Sequence, residues 1–249
     1  MHALRRPART AKEPVSSASE QKKLNASDRV IAAITDGILR RRYVPGQRLI
    51  ELDLTHEFKV SRGTIREAFK RLAAEGVVAL TPHRGAYVRS MTREAAKELL
   101  VVLEYLTPLM AGLAAERIGK ANHRQRFQRA LASLLGFRGN GHSDQFVEER
   151  RRFYRLLLDI GGNSELMRVM PLTHIQMFRM QFHPLMSPDD LGDQFAEYQE
   201  IGKAILGGDA RAAERLMRRH IRRTQKRVME LPEQAFSPAE DGPVRQAGA

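Results

Sequence analysis

The sequence contains no cysteine, and aromatic residues make up only 6% of it. The absence of cysteine excludes disulfides, cysteine nucleophiles and thiolate metal sites, and it makes a reducing cytoplasm the expected compartment. The longest uninterrupted apolar run, residues 99–103, is far shorter than the ~20 residues that a membrane-spanning helix needs. The basic residues near the start of the chain precede no apolar segment, so we expect no secretory signal there. We therefore predict no membrane partner.

Positive charge, by contrast, is abundant. The 249 residues include 42 lysines and arginines against 29 aspartates and glutamates, which gives a formal net charge of +13. This excess favours polyanionic partners. Hydrophobic residues at 42% and charged residues at 29% are typical of a folded, soluble protein. The length fits one large domain or two small ones, each with a core of its own.

The chain divides into four segments of different character. Residues 1–24 and 232–249 carry proline, serine, alanine and charge without periodicity, and we predict that both are mobile tails. Residues 25–90 mix short helical patterns with a β-type ending, whereas residues 92–231 are helical throughout. The predicted fold class is therefore mainly α, with an amino-terminal winged helix-turn-helix, a small β-hairpin wing and a carboxy-terminal all-α helical bundle.

The first folded segment predicts three short helices and a hairpin. The first helix is expected to begin at Ser27 or Asp28, and the second covers residues 51–58. The third follows Ser61, a favourable N-cap residue, and ends at Gly76, where a left-handed residue is needed. The stretches VVALT and AYVRS then read as two strands joined by a turn.

This layout places the start of the third helix where a winged helix-turn-helix meets DNA. Residues near the amino terminus of a recognition helix reach base edges in the major groove. Arg62 and Arg66 lie there four residues apart, and each guanidinium can bond O6 and N7 of one guanine. An exposed arginine is also often only a solvated charge, and Arg66 has an alternative partner in Glu67. The predicted DNA-binding residues are Ser61, Arg62, Thr64, Arg66, His83, Arg84 and Gly85.

The stretch PGQRLIELDLTHEFKVSRGTIREAFKRLAAEGVVALTPHRGAYV resembles the DNA-binding domain of GntR-type bacterial transcription regulators. VSRGTIREAFKRLAAEG and RGAYV carry most of that resemblance. It implies that Arg62, Thr64 and Arg66 contact double-stranded operator DNA, with residues 84–85 at the wing tip. Lys59 departs from the family pattern, which usually has glycine in this turn. We expect the lysine to cost some backbone strain and to add a positive charge close to phosphate.

The second segment resembles the helical effector domain of the FadR subgroup of these regulators. The supporting stretches are LEYLTPLMAGLAAERI, FYRLLLDIGGNSELMR and EYQEIGKAILGGDARAAERLMRRHI. The resemblance implies a ligand cavity inside the bundle and a homodimer that reads a near-palindromic operator. The predicted helices cover residues 92–117, 120–136, 143–161, 163–183, 189–207 and 209–230.

Most members of that subgroup hold a divalent metal through one aspartate and three histidines. The corresponding positions in this sequence are Arg150, Tyr154, Tyr198 and His220. The spacing fits the pattern, but three of the four residue types do not. Arginine cannot lose its proton to bind a metal, and phenols are not usual ligands of such a site. We therefore predict neither a metal nor another cofactor.

The same four positions fall on helical stripes of apolar residues, so their side chains should point into the bundle. Because a buried guanidinium without a partner is costly, Arg150 should meet an anion. We expect a small anionic effector, a carboxylate rather than a phosphate, with the two tyrosines and the histidine donating hydrogen bonds. The alternative is a closed polar network in which Arg150 pairs with Glu104 or Glu197.

These features favour a ligand-responsive, sequence-specific transcriptional regulator, acting as a repressor in the cytoplasm. The alternative is a constitutive DNA-binding protein whose helical domain only dimerises. An enzyme that uses Tyr154, Tyr198 and His220 as acid–base groups is a third reading. The sequence shows no nucleophile with its base and no phosphate-binding loop, so we predict no catalytic residue and no enzymatic activity.

Overall fold

The fold of this chain is mainly helical, as the sequence predicts. A computed structural model describes residues 25–81 and 85–238. The amino-terminal elements are α1 (Ala26–Leu39), β1 (Arg48–Leu49), α2 (Glu51–Phe58), α3 (Arg62–Ala74), β2 (Val78–Thr81) and β3 (Gly85–Val88). The helices that follow are α4 (Arg93–Glu116), α5 (His123–Leu135), α6 (Asp144–Gly161), α7 (Ser164–Val169), α8 (Leu172–Phe182), α9 (Pro188–Leu206) and α10 (Ala210–Met229). They form a winged helix-turn-helix followed by a helical bundle.

The start of α1 differs from the sequence prediction. Its N-cap is Asn25, whose side chain accepts a hydrogen bond from the backbone N–H of Asp28 at 2.7 Å. The Asp28 carboxylate accepts from the Asn25 N–H in return, which completes a capping box. Ser27, predicted as a cap, instead lies buried inside the first turn. The reciprocal pair explains why the helix begins two residues earlier.

The connection between α2 and α3 confirms two predictions. Lys59 ends α2 in the left-handed region, with φ 52° and ψ 48°, a conformation that glycine adopts at less cost. Ser61 is the N-cap of α3, and its hydroxyl accepts from the Thr64 N–H at 3.1 Å. Gly76 follows α3 with φ 68°. The two helices are thereby joined tightly enough to pack against each other.

The wing is a three-stranded antiparallel sheet in the order β1-β3-β2. Strands β2 and β3 form the predicted hairpin, with Thr81 opposite Gly85 and Val78 opposite Val88. Strand β1 pairs with the other edge of β3, placing Arg48 opposite Tyr87. This strand was not predicted, because two residues give no alternating pattern.

Helix α4 is the central helix of the bundle and packs against α6, α9 and α10. It runs through Pro108 as one helix. By length and composition it is also the one helix in the described ranges that is apolar enough to cross a membrane. Half of its most apolar 18-residue stretch, however, is buried inside the protein. Its apolar composition is that of a core helix.

The single helix predicted over residues 163–183 is divided in the structure. Helix α7 ends at Val169 and α8 begins at Leu172. Pro171 lies in the break, and Met170 before it is extended, with ψ 118°. A proline disfavours helical geometry in the residue that precedes it, which explains the interruption. The break lets α8 turn toward the amino-terminal domain and contact α1.

The carboxy-terminal segment is ordered further than the sequence predicts. Residues 232–238 were expected to belong to a mobile tail, yet Phe236 is only 7% exposed. Its ring lies 5.1 Å from that of Phe182, and the Arg93 guanidinium stacks on it at 4.1 Å. Arg93 also donates to the Glu233 carboxylate at 2.8 Å. The Phe236 ring and the polar contacts of Arg93 together hold this segment against the bundle.

Replacing Lys59 with glycine tests the backbone strain at this turn. Lys59→Gly should raise the free energy of unfolding by about 0.5–1 kcal/mol, because relief of the left-handed geometry exceeds the added entropy of the unfolded chain. Urea unfolding followed by circular dichroism measures it. Lys59→Arg, which keeps a Cβ and the charge, should leave stability unchanged, and a glycine variant less stable than wild type would contradict the assignment.

Candidate functional site

The amino-terminal end of α3 presents an exposed polar surface. Arg62 and Arg66 are both exposed on it. The Ser61 and Thr64 hydroxyls lie 2.9 Å apart and share a hydrogen bond at the first turn. The helix amino terminus adds partial positive charge to this surface. The four predicted residues of this helix are therefore brought together where they can reach a polyanion.

Arg66 has a carboxylate partner, though not the one considered from sequence. Its Nε lies 3.1 and 3.0 Å from the two carboxylate oxygens of Glu51, at the start of α2. This ion pair is well exposed, with the arginine side chain at 66%, and exposed pairs contribute only about 0–1 kcal/mol. The pair holds the guanidinium in place but can be exchanged for another anion at little cost.

Arg48 is a basic residue beside the wing that sequence analysis did not identify. It is exposed on β1, and a Cβ added at Gly85 would lie 3.8 Å from its Nε. Gly85 has φ 96°, a conformation that other residues rarely adopt. The predicted wing residues His83 and Arg84 lie outside the described residues. A guanidinium therefore lies beside the turn end of the hairpin as well as on α3.

A second polar cluster lies inside the helical bundle. Arg150 is only 5% exposed, and its Nε donates to the Tyr198 hydroxyl at 3.0 Å. The Tyr198 ring lies 4.9 Å from the His220 ring, and Tyr154 is buried beside it. The prediction that these stripe positions point inward is confirmed.

The closed network that pairs Arg150 with a glutamate is not formed. Glu104 pairs instead with Arg222 at 2.7 Å. Glu197 accepts from His220 Nδ1 at 2.6 Å and from Arg227 at 3.1 Å. Among residues 25–81 and 85–238, no carboxylate pairs with Arg150, whose neighbours are aromatic rings and the Tyr198 hydroxyl.

Comparison with known proteins identifies both parts of the chain. Residues 98–223 match the FCD domain, and residues 26–88 match the bacterial regulatory proteins of the gntR family. The chain belongs to the GntR family of transcriptional regulators. Its FCD domain places it in the FadR-type subgroup. Members of this family bind operator DNA and are regulators rather than enzymes, which confirms the prediction that this GntR regulator is not an enzyme.

The regulator is similar over most of its length to proteins named as transcriptional repressors. It is 26% identical to the HTH-type transcriptional repressor RspR of Escherichia coli K12, covering 78% of this chain and 87% of that protein. It is 24% identical to the galactonate operon transcriptional repressor of the same strain, covering 84% and 99%.

Two solved structures share the fold of this GntR regulator. A GntR transcriptional regulator from Rhodococcus sp. RHA1 aligns with a TM-score of 0.67 and 24% identity, over 82% of this chain and 97% of that one. E. coli McbR/YncC aligns with a TM-score of 0.65 and 16% identity, over 80% and 95%.

The side chains at the subgroup's metal positions do not fit a metal. A guanidinium stands where a carboxylate ligand is needed, and two phenols replace two imidazoles. The one imidazole, His220, uses Nδ1 to donate to Glu197. Within the described ranges, no three side chains of the histidine, aspartate or glutamate type converge on one point. The charge of Arg150 occupies this place in the bundle instead.

Burial controls the protonation of two imidazoles in the GntR regulator, those of His183 and His220. It lowers the pKa of His220, outweighing the Glu197 carboxylate, so the ring is neutral at neutral pH. With its proton on Nδ1, Nε2 is an acceptor rather than the donor expected from sequence. Burial, with the charge of Arg150, also lowers the pKa of His183 to about 3. His183 Nε2 donates to the Gly141 carbonyl at 2.5 Å.

The low pKa of His183 makes stability depend on pH. Unfolded histidine takes up a proton below its ordinary pKa of 6.5, whereas the folded residue does so only near 3. The free energy of unfolding should therefore fall as the pH decreases below 6.5, by up to about 1.4 kcal/mol per pH unit from this residue. In His183→Gln, which keeps a donor for Gly141 but cannot titrate, the fall should be shallower by that amount. Urea unfolding at several pH values measures both slopes, and equal slopes would contradict the assignment.

Proposed function

We propose that this GntR regulator is a ligand-responsive repressor that binds a small organic acid in its FCD domain and then releases its operator. The observation that carries the proposal is the burial of the Arg150 guanidinium without a carboxylate partner. Leaving a charge buried and uncompensated costs several kcal/mol, roughly 3–5 kcal/mol when one partner of a pair is removed. An anionic effector supplies that partner. Similar proteins named as repressors support the direction of regulation.

The DNA-binding surface in this proposal combines α3 with the wing. Arg62 and Arg66 read base edges in the major groove, and Arg66 exchanges Glu51 for DNA. The Ser61 and Thr64 hydroxyls bind phosphate or bases near the helix amino terminus. The wing residues His83, Arg84 and Gly85 contact the sugar–phosphate backbone of the DNA next to that groove. The exposed positions of Ser61, Arg62, Arg66 and Gly85, and the partly exposed position of Thr64, support this arrangement.

At the proposed effector site, the ligand carboxylate forms a bidentate pair with Arg150. Tyr154 and Tyr198 orient it through their hydroxyls, because burial raises the pKa of Tyr154 and keeps that phenol protonated. His220 accepts a hydrogen bond from a ligand hydroxyl through Nε2. A carboxylic acid that also carries a hydroxyl group matches this set.

Helix α8 is the element that carries the effect to the DNA-binding domain. Gln176 donates to the Leu39 carbonyl at the end of α1 at 3.3 Å. Gln181 accepts from the Met91 N–H at 2.7 Å and donates to the Met91 carbonyl at 3.0 Å. Ligand binding favours one placement of these contacts over another, and its effect on DNA affinity cannot exceed that preference.

The regulator acts in the cytoplasm as a homodimer, with each wing domain reading half of the operator. The outer side of α4 supports dimerisation, since it exposes several large apolar side chains that another protein surface would cover. They are Val101, Val102, Tyr105 and Leu109.

Removal of the two α3 arginines tests DNA recognition. Arg62→Ala and Arg66→Ala should each weaken binding to a site selected from random duplexes by about 1–3 kcal/mol per contact and relax its sequence preference. Footprinting and fluorescence anisotropy at several salt concentrations measure this. Arg129→Ala, which removes an exposed charge from α5, is the matched control. Undiminished, site-selective protection by the double variant would contradict the proposal.

Thermal unfolding with a panel of organic acids tests the effector site. A ligand at about 100 times its Kd should stabilise the wild-type protein by about 2.7 kcal/mol, a shift of several degrees in Tm. Arg150→Ala should abolish the shift, and Arg155→Ala, an exposed change on the same helix, should preserve it. Shifts that survive in Arg150→Ala would refute the pocket. A wild-type protein that no acid stabilises would favour a constitutive DNA-binding dimer.

A further inference from the structure

A second arginine is buried in the same cluster as Arg150. Arg179 on α8 is only 4% exposed, and its guanidinium stacks on the Tyr154 ring with Cζ 4.3 Å from the centroid. Burial first, and then the charge of Arg150, lower the pKa of Arg179 to about 10. The group is still protonated at neutral pH, so two positive charges repel each other inside one bundle.

Among the described residues, no neighbouring group neutralises this pair of charges. The lowered pKa values of His183 and His220 keep both imidazoles neutral at neutral pH. Glu197, which reaches the cluster through His220, is already held by Arg223 at 3.2 Å and Arg227 at 3.1 Å. The aromatic rings beside the arginines contribute cation–π attraction but carry no negative charge.

One carboxylate can pair with only one of these guanidinium groups in the bidentate geometry that arginine favours. A ligand with two carboxylates neutralises both charges and converts their repulsion into two attractions. The aromatic faces of Phe146, Tyr154 and Tyr198 lie beside the arginines. They suit the short carbon chain that joins the two carboxylates of the ligand. We propose that the helical domain binds a short dicarboxylate, with one carboxylate on Arg150 and the other on Arg179. This assignment rests on the proposed effector site and narrows its ligand to a dianion.

The position of Arg179 links the second carboxylate to regulation. Arg179 lies on α8, between Gln176 and Gln181, which contact the amino-terminal domain and the segment that joins it to the bundle. A dicarboxylate therefore contacts α8 directly, and α8 is the helix that packs against the DNA-binding domain. A monocarboxylate held by Arg150 alone leaves that helix without this contact, so dicarboxylates should weaken operator binding more than monocarboxylates of equal length.

Matched acids of equal carbon number test the second contact. With the full-length protein, succinate should raise Tm at concentrations about 10-fold or more below those that butyrate requires, and glutarate should do the same relative to valerate. Arg179→Met should weaken binding of the two diacids by a similar factor and change binding of the two monoacids by less than about twofold. Arg179→Lys, which keeps the charge but not the planar fork, should fall between the two.

The controls separate this assignment from the effector site itself. Circular dichroism checks that each variant is folded, and Arg155→Met on the exposed face of α6 should bind all four acids normally. If Arg150→Met loses every acid but Arg179→Met binds the diacids as tightly as wild type, the dicarboxylate assignment fails and the effector site stands. Equal binding of mono- and diacids by wild type, or no stabilisation by either diacid, also overturns the assignment. If diacid binding survives in Arg150→Met, the effector site itself is wrong.

Discussion

Two positive charges, those of Arg150 and Arg179, are buried in one helical bundle. Placing an ion in a protein interior costs several kcal/mol even after relaxation, and stacking on an aromatic face returns only about 2 kcal/mol. Arg150 and Arg179 are each placed over such faces. The remaining cost must be offset by the apolar surface of the surrounding helices. Uncompensated costs of this kind concentrate at functional sites, which supports the proposed effector site.

Much of this fold could be predicted because its signals are local. The cap at Ser61, the left-handed turn at Lys59 and the hairpin strands each depend on a few adjacent residues, and the structure contains all of them. The errors also have local causes. A two-residue strand has no periodicity, and the capping box at Asn25 competes with two other good caps. Phe236 was missed because a single apolar residue in a polar segment forms no stripe.

Only part of the candidate site could be predicted, because spacing along one helix shows which way a side chain points but not which distant residues it meets. Helical spacing determines which side chains share a face, so the inward direction of Arg150 and Tyr198 could be predicted. Arg179 could not, because α8 is buried on nearly all sides from Ile175 to Phe182 and has no polar face for comparison. Partners such as Glu51 for Arg66 are distant in sequence, and only the packing of one helix on another brings them together.

The carboxy-terminal segment has a consequence for the junction between the two domains. The Ser237 N–H donates to the Met91 carbonyl at 3.0 Å, and the same carbonyl accepts from Gln181, which also donates to the carbonyl of Ala235. Met91 is thus held by hydrogen bonds with Ser237, in the segment that follows α10, and with Gln181 on α8. Any rotation of the amino-terminal domain about this residue would have to break these hydrogen bonds. The segment that joins the two domains is therefore held from two sides, by α8 and by residues 235–237.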